Sequence, residues 1–211
     1  MRLSSRRAGA FLSSLLFGLS PLTLASAPPE FRIVTGVDCD EGERKTDAAT
    51  TSSQGVDFSA RPLGDAEWEA RLETHAPGSG GLFRGPNGRP APFQVFLVSL
   101  ENRSRELLRF QPGNVVRLGG ANEEDHILDY TDLYRYLQGI GKPGELVDGV
   151  RDEFFDSGIT LDAGARVEKL LLFREFQPSR KRKSLTLLFS RFQIGTESHQ
   201  AGLSWHYEKV K

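Results

Sequence analysis

At 211 residues, 38% hydrophobic and 26% charged, the chain has room for one domain with appendages or two small ones, and its makeup is that of a water-soluble globular protein. Its 27 basic residues nearly balance 28 acidic ones, which argues against a general nucleic-acid binder, since that activity needs a basic surface. A single cysteine rules out an internal disulfide framework, so an apolar core must supply the stability.

Residues 1–27 read as a secretory signal peptide: Arg2, Arg6 and Arg7 form a positive start, Phe11 to Leu24 an apolar run, and Ala25-Ser26-Ala27 a small-residue exit. Cleavage falls after Ala25 or Ala27, the second being disfavoured by Pro28. Arg6-Arg7 suggests twin-arginine export as a secondary route, because the hydrophobic pair expected close behind is displaced to Phe11-Leu12. The apolar run is shorter than the roughly 20 residues of a membrane span and has no successor, so the mature chain is expected to be exported, periplasmic or extracellular, without crossing the membrane. Export removes three arginines and no acids, leaving 24 basic against 28 acidic residues. Cys39, between Asp38 and Asp40, is expected as a quiet free thiol, with an intermolecular bridge as the alternative.

Phe31 to Val37 has the pattern of a first strand. Asp40 to Gly55 is small and polar with no apolar period, and is expected to be a mobile loop. Asp65 is a candidate N-cap for a short helix that places Trp68 and Leu72 on one face, so that Trp68 docks it on the core. Five glycines and four prolines between 76 and 92 predict a loop. The stretch F-Q-V-F-L-V-S-L from Phe93 to Leu100 is apolar in both alternation phases, Phe93, Val95 and Leu97 in one and Phe96, Val98 and Leu100 in the other. That predicts a central strand covered on both faces.

Leu107, Leu108 and Phe110 begin a return strand, interrupted at Pro112-Gly113-Asn114 before Val115 to Leu118. A helical insert is expected over about 122–155. Tyr130, Leu133, Tyr134 and Leu137 share one helix face, capped by Asp129 or Thr131 and ended by Gly139 or Gly141. A second short helix runs from Pro143 to about Phe155. Val167 to Phe173 predicts a second covered strand, Leu185, Leu187 and Phe189 a third, and Leu203, Trp205 and Tyr207 a closing strand with an aromatic inner face. The fold class is therefore mainly β: an antiparallel sandwich of about seven strands over 93–211, preceded over 28–92 by a strand, a flexible loop and a short N-terminal helix.

The phrase F-L-V-S-L-E-N-R-S, followed some sixty residues later by S-G-I-T-L-D-A-G-A-R-V-E-K-L-L-L-F, resembles immunoglobulin-like domains of exported bacterial proteins and lipoproteins, some described as telokin-like. In those domains a strand ending in Asn-x-Ser precedes a leucine, a glycine and a hydrophobic strand, matched here by Leu161, Gly164 and Leu170 to Phe173. The resemblance covers roughly 93–192 and departs at the helical insert. It implies a sandwich serving as a binding, dimerisation or structural module, and it brings no catalytic residues.

Several groups carry candidate chemistry. Tyr130, Tyr134 and Tyr136 suit a partner surface, Tyr130 and Tyr134 sharing the apolar face while Tyr136 points elsewhere. His126, with Glu123, Glu124, Asp125 and Asp129, would assemble a metal or acid/base site if the helix began early, set against the plainer reading of an exposed helix approach. Asp156-Ser157-Gly158 matches half of an aspartic-protease pair, and otherwise is a turn before a strand at Ile159. Asp38, Asp40, Glu41 and Glu43 offer oxygens for weak calcium binding or simply a solvated loop. Arg180 to Lys183 reads as a basic hairpin tip or an anion contact. Asn102-Arg103-Ser104 fits the N-glycosylation pattern and equally the chemistry of a turn. With no phosphate loop, nucleophile elbow or zinc spacing, no catalytic residue, metal or cofactor is expected. The expected function is a non-catalytic exported module contacting a protein or envelope component. The alternative is a ligand-binding, metal-binding or hydrolytic protein with its site near the insert.

Overall fold

A computed structural model describes residues 31–35, 48–119, 123–177 and 184–209. The expected export segment with its cleavage after Ala25 or Ala27, Cys39 with its acidic neighbours, and Arg180 to Lys183 lie outside those residues.

In chain order, β1 (Phe31–Thr35), β2 (Ala49–Ser53) and β3 (Val56–Leu63) precede helix α1 (Asp65–His75). Next come β4 (Phe93–Asn102), β5 (Leu108–Phe110), β6 (Val115–Gly119) and β7 (Glu123–His126). Helix α2 (Tyr130–Gly139) and a 3₁₀ helix (Gly144–Glu153) lead to β8 (Ile159–Leu161), β9 (Arg166–Arg174), β10 (Ser184–Ile194) and β11 (Glu197–Lys209).

The strands form two antiparallel sheets. One runs β2-β3-β4-β9. In the other, β1-β11-β10 continues into β5 and β6, which lie end to end along β10 and carry β8 and β7 on their far sides. The break between β5 and β6 is the expected one at Pro112-Gly113-Asn114. β10 answers it with a register shift between Phe189 and Phe192, where Arg191 has φ +56° and the Ser190 hydroxyl donates to the Asn114 carbonyl.

Alternation along β4 decides the layers. Phe96, Val98 and Leu100 point at the seven-stranded sheet and, with Phe58, Phe173, Phe189 and Trp205, fill the space between the sheets. Phe58 stacks on Phe189 at 5.0 Å and Phe96 on Trp205 at 5.2 Å across that gap. Phe93, Val95 and Leu97 point the other way, joined by Leu170 and Leu172 of β9, and meet Trp68 and Leu72 of α1 and Leu133 and Leu137 of α2. Both covered strands are thus as expected. The second cover is a full helical layer over the outer face of the four-stranded sheet, not a decoration at one end.

Three local expectations are corrected. Residues 49–63, read as loop as far as Gly55, form a hairpin whose second strand pairs with β4 along its whole length. Its two-residue turn has φ +54° at Gln54 and +78° at Gly55, the twist a tight hairpin needs. The N-cap of α1 is Gly64 rather than Asp65, and the Glu67 carboxylate accepts the Gly64 N–H at 3.1 Å. Residues 123–126, expected within a helical insert, are a strand paired with β6, and the second helix is 3₁₀. Asp129 caps α2 by accepting the Asp132 N–H at 3.0 Å, and Gly141 at φ +78° follows its end.

The 76–92 segment has one short 3₁₀ turn, Pro86–Gly88, and is otherwise irregular as expected, yet it is firmly held. Lys142 Nζ donates to the carbonyls of Gly81, Leu82 and Arg84 at 2.7–3.0 Å. Arg84 forks onto Glu69, and the Glu73 carboxylate accepts the N–H groups of Gly78 and Gly80. No described helix is long and apolar enough to cross a membrane.

Candidate functional site

The sequence candidates separate in space. His126 ends β7, where strand alternation sends Glu124 and His126 outward while Glu123 and Asp125 turn inward half-buried. The five residues proposed for a metal or acid/base site therefore do not converge, and no group of three such side chains able to hold a metal forms among the described residues. Asp129 is occupied as a helix cap, while the exposed His126 ring lies 3.7 Å from the exposed Glu124 and the His126 backbone N–H donates to Asp125 at 3.1 Å.

All three tyrosines of α2 are half-buried: Tyr130 packs against the core between sheet and helices, as its place on the apolar face predicts, and Tyr136, expected to point elsewhere, packs there too. Tyr136 is the anchored member: its ring lies 4.7 Å from Phe93 and 6.5 Å from Phe83, and its hydroxyl donates to the Phe83 carbonyl at 3.0 Å. Burial raises its pKa. Tyr130 and Tyr134 lie side by side at 6.1 Å on the surface where α2 meets the 3₁₀ helix. Tyr134 donates to Glu145 at 2.9 Å, and Gly144 permits the approach, since a Cβ there would sit 2.7 Å from the ring. The Arg151 guanidinium lies 4.9 Å from the Tyr130 ring and donates to Asp156 at 2.6 Å. Hydrogen bonds to Asp148 and Glu145 raise the pKa of Tyr130 and Tyr134, so both remain neutral donors. Leu146, beside Glu145, is 46% exposed.

A polar centre at Arg117 was not anticipated. Its inward position on β6 carries it between the sheets, where it is 2% exposed. It donates to Asp125 and Gln94, each at 2.9 Å, and to the Arg174 carbonyl, and its guanidinium lies 5.5 Å from both Phe173 and Phe176. Gln94 Nε2 donates to the Tyr207 hydroxyl at 2.9 Å. Burial lowers the Arg117 pKa against the pull of Asp125, and burial pushes the Tyr207 phenol up to about 12. The signal available in the sequence was Arg117 standing between Val115 and Gly119 in the inward phase of an otherwise apolar strand. Its bonds to Gln94 and Arg174 of the four-stranded sheet and to Asp125 of the other make the centre a clasp between the sheets.

Two motifs resolve into turn chemistry. Asn102 is 0% exposed, its Nδ2 donates to the carbonyls of Glu106, Leu161 and Asp162, and its Oδ1 accepts from Ser104. A side chain so enclosed offers no nitrogen to a glycosyl donor. Asp156 is bound to Arg151, and Asp156-Ser157-Gly158 leads into β8 at Ile159 as a bend.

Comparison with family models, curated proteins and solved structures yields no match.

Proposed function

We propose that the protein is an exported, non-catalytic module of the immunoglobulin-like kind, working through contacts with a protein or another envelope component, with the helical layer as its contact face. Two features support the likeness to such domains. Two antiparallel sheets pack face to face, and the two halves of the shared phrase meet at Asn102, which bonds Leu161 and Asp162 through its side chain and Gly164 through its carbonyl. The observation that carries the contact face is the Tyr130–Tyr134 pair at the layer surface, beside the exposed Leu146, because aromatic rings with polar tips favour interfaces.

The test places a photo-crosslinking amino acid at Tyr134 and, in a second strain, at the exposed Ser204 on the outer face of the other sheet. A discrete adduct from position 134 with none from position 204 is expected in envelope fractions. Adducts from neither position, with the protein folded and exported, sink the proposal.

A further inference from the structure

We infer that the surface shared by α2 and the 3₁₀ helix docks an arginine-bearing segment of a protein partner, an inference that rests on reading this layer as the contact face. The protein already contains one seat of the required kind. Arg151 lies over Tyr130 at 4.9 Å while its Nε is bound to Asp156, so a tyrosine face and a carboxylate together hold a guanidinium.

Tyr134 repeats the arrangement, and among the described residues no guanidinium lies over its ring. It stands 6.1 Å from Tyr130 with its hydroxyl donating to Glu145 at 2.9 Å, and Asp148 raises the Tyr130 pKa from the same surface. A carboxylate has about four acceptor positions, so accepting one phenol leaves Glu145 and Asp148 room for further donors. Charge favours a cationic visitor: among the described residues Glu145, Asp148 and Asp152 are exposed on this segment and outnumber its one exposed uncommitted cation, Arg135, since Arg151 is bound to Asp156 and Lys142 to the carbonyls of the 76–92 loop. Leu146 supplies adjacent apolar area. A planar guanidinium both stacks and forks onto carboxylates, which selects arginine over lysine. Anionic polysaccharide and nucleic acid are repelled by the same charges.

The purified protein is titrated with a tetra-arginine peptide while amide chemical shifts are followed, with tetra-lysine and tetra-glutamate alongside. Shifts are expected at residues 130–134 and 144–151. Affinity should fall roughly tenfold in Tyr134→Leu and in Glu145→Gln with Asp148→Asn, and tetra-lysine should bind several-fold more weakly. Tyr134→Phe, which keeps the ring, should stay within about threefold of the parent and covers the case in which the leucine variant misfolds. Shifts mapping elsewhere, or equal arginine and lysine affinities indifferent to the ring, overturn the inference. Self-association lost in Tyr134→Leu would make a second copy the occupant and also overturns it. A crosslinked partner whose attached peptide lacks arginine removes this inference while leaving the contact face standing. Absence of any crosslink removes the contact face, and the titration still reports separately on arginine.

Discussion

Arg117 keeps its charge between two sheets because three kinds of acceptor surround it: a carboxylate, an amide oxygen and a backbone carbonyl. Removing one member leaves the others desolvated and unmatched. Asp125→Ala is therefore expected to cost about 3–5 kcal/mol by urea unfolding, and adding Arg117→Met to it should recover part of that loss, since an apolar pair avoids the buried charge. If the double variant is less stable than Asp125→Ala alone, the clasp is not governed by that pair. Tyr207 gives a pH signature. Its pKa is raised from 10.0 to about 12 by burial, so the folded state holds the phenol proton more tightly than the unfolded chain. The associated stability is complete below the ordinary value and is lost as pH rises through the folded one, a fall of about 2–3 kcal/mol between pH 10 and 12. Unfolding curves across that window should show this extra slope in the parent and not in Tyr207→Phe. The partners of Arg117 and Tyr207 could not be read from the chain, because Gln94 and Arg174 reach Arg117 from the facing sheet, and Asp125, only eight residues away, reaches it through a β6–β7 pairing that its charged sequence does not announce. Asn102 was half legible. Its turn role follows from Asn-Arg-Ser, whereas its bonds to Leu161 and Asp162 span about sixty residues.

Among the elements, α1 shows how local pattern sets an element and packing gives it weight. Trp68 and Leu72 share a face by helical spacing, and both are buried against the outer face of the four-stranded sheet. Trp68→Ala should destabilise by about 3–5 kcal/mol, with near-ultraviolet dichroism and urea midpoint as readouts. The 76–92 loop was legible as a loop from its glycines and prolines, but its rigidity was not. Lys142→Met strands three carbonyls, and faster proteolysis within 77–92 is expected with a global loss of only about 1–2 kcal/mol. Unchanged cleavage would show that Arg84 and Glu73 hold the loop without it. The β2–β3 hairpin was missed because A-T-T-S-S carries no apolar alternation. It is a strand because β3 pairs with β4 and β2 then completes the edge. At β7, charged residues suggested a helix approach, and pairing with β6 overrode that weak local preference.

At the scale of the molecule, the two tryptophans report on different layers: Trp205 lies between the sheets and Trp68 between sheet and helices. Because β4 and β9 contribute side chains to both cores, the layers should unfold together. Single-tryptophan variants Trp68→Phe and Trp205→Phe are expected to give fluorescence midpoints coinciding with far-ultraviolet dichroism, each in its own variant. A helical layer that melts first would instead mean that the two-sheet stack is stable alone. Deleting 122–155 should not yield a folded core, since it exposes Leu170, Leu172 and Val95 and removes the Asp125 partner of Arg117. The chain by itself determined the mainly β character, the two strands covered on both faces, the helix at Trp68 and the tyrosine-bearing helix, because periodicity and composition are local properties that survive without knowledge of neighbours. Only the tertiary structure decided that the helices form a third layer, that the Tyr136 hydroxyl is bonded into the core while the half-buried Tyr130–Tyr134 pair lies where α2 meets the 3₁₀ helix, and that the acidic residues around His126 divide between the two faces of β7. Those outcomes depend on which distant strands pair and in what register, and a shift of one residue in a strand exchanges its buried and exposed faces.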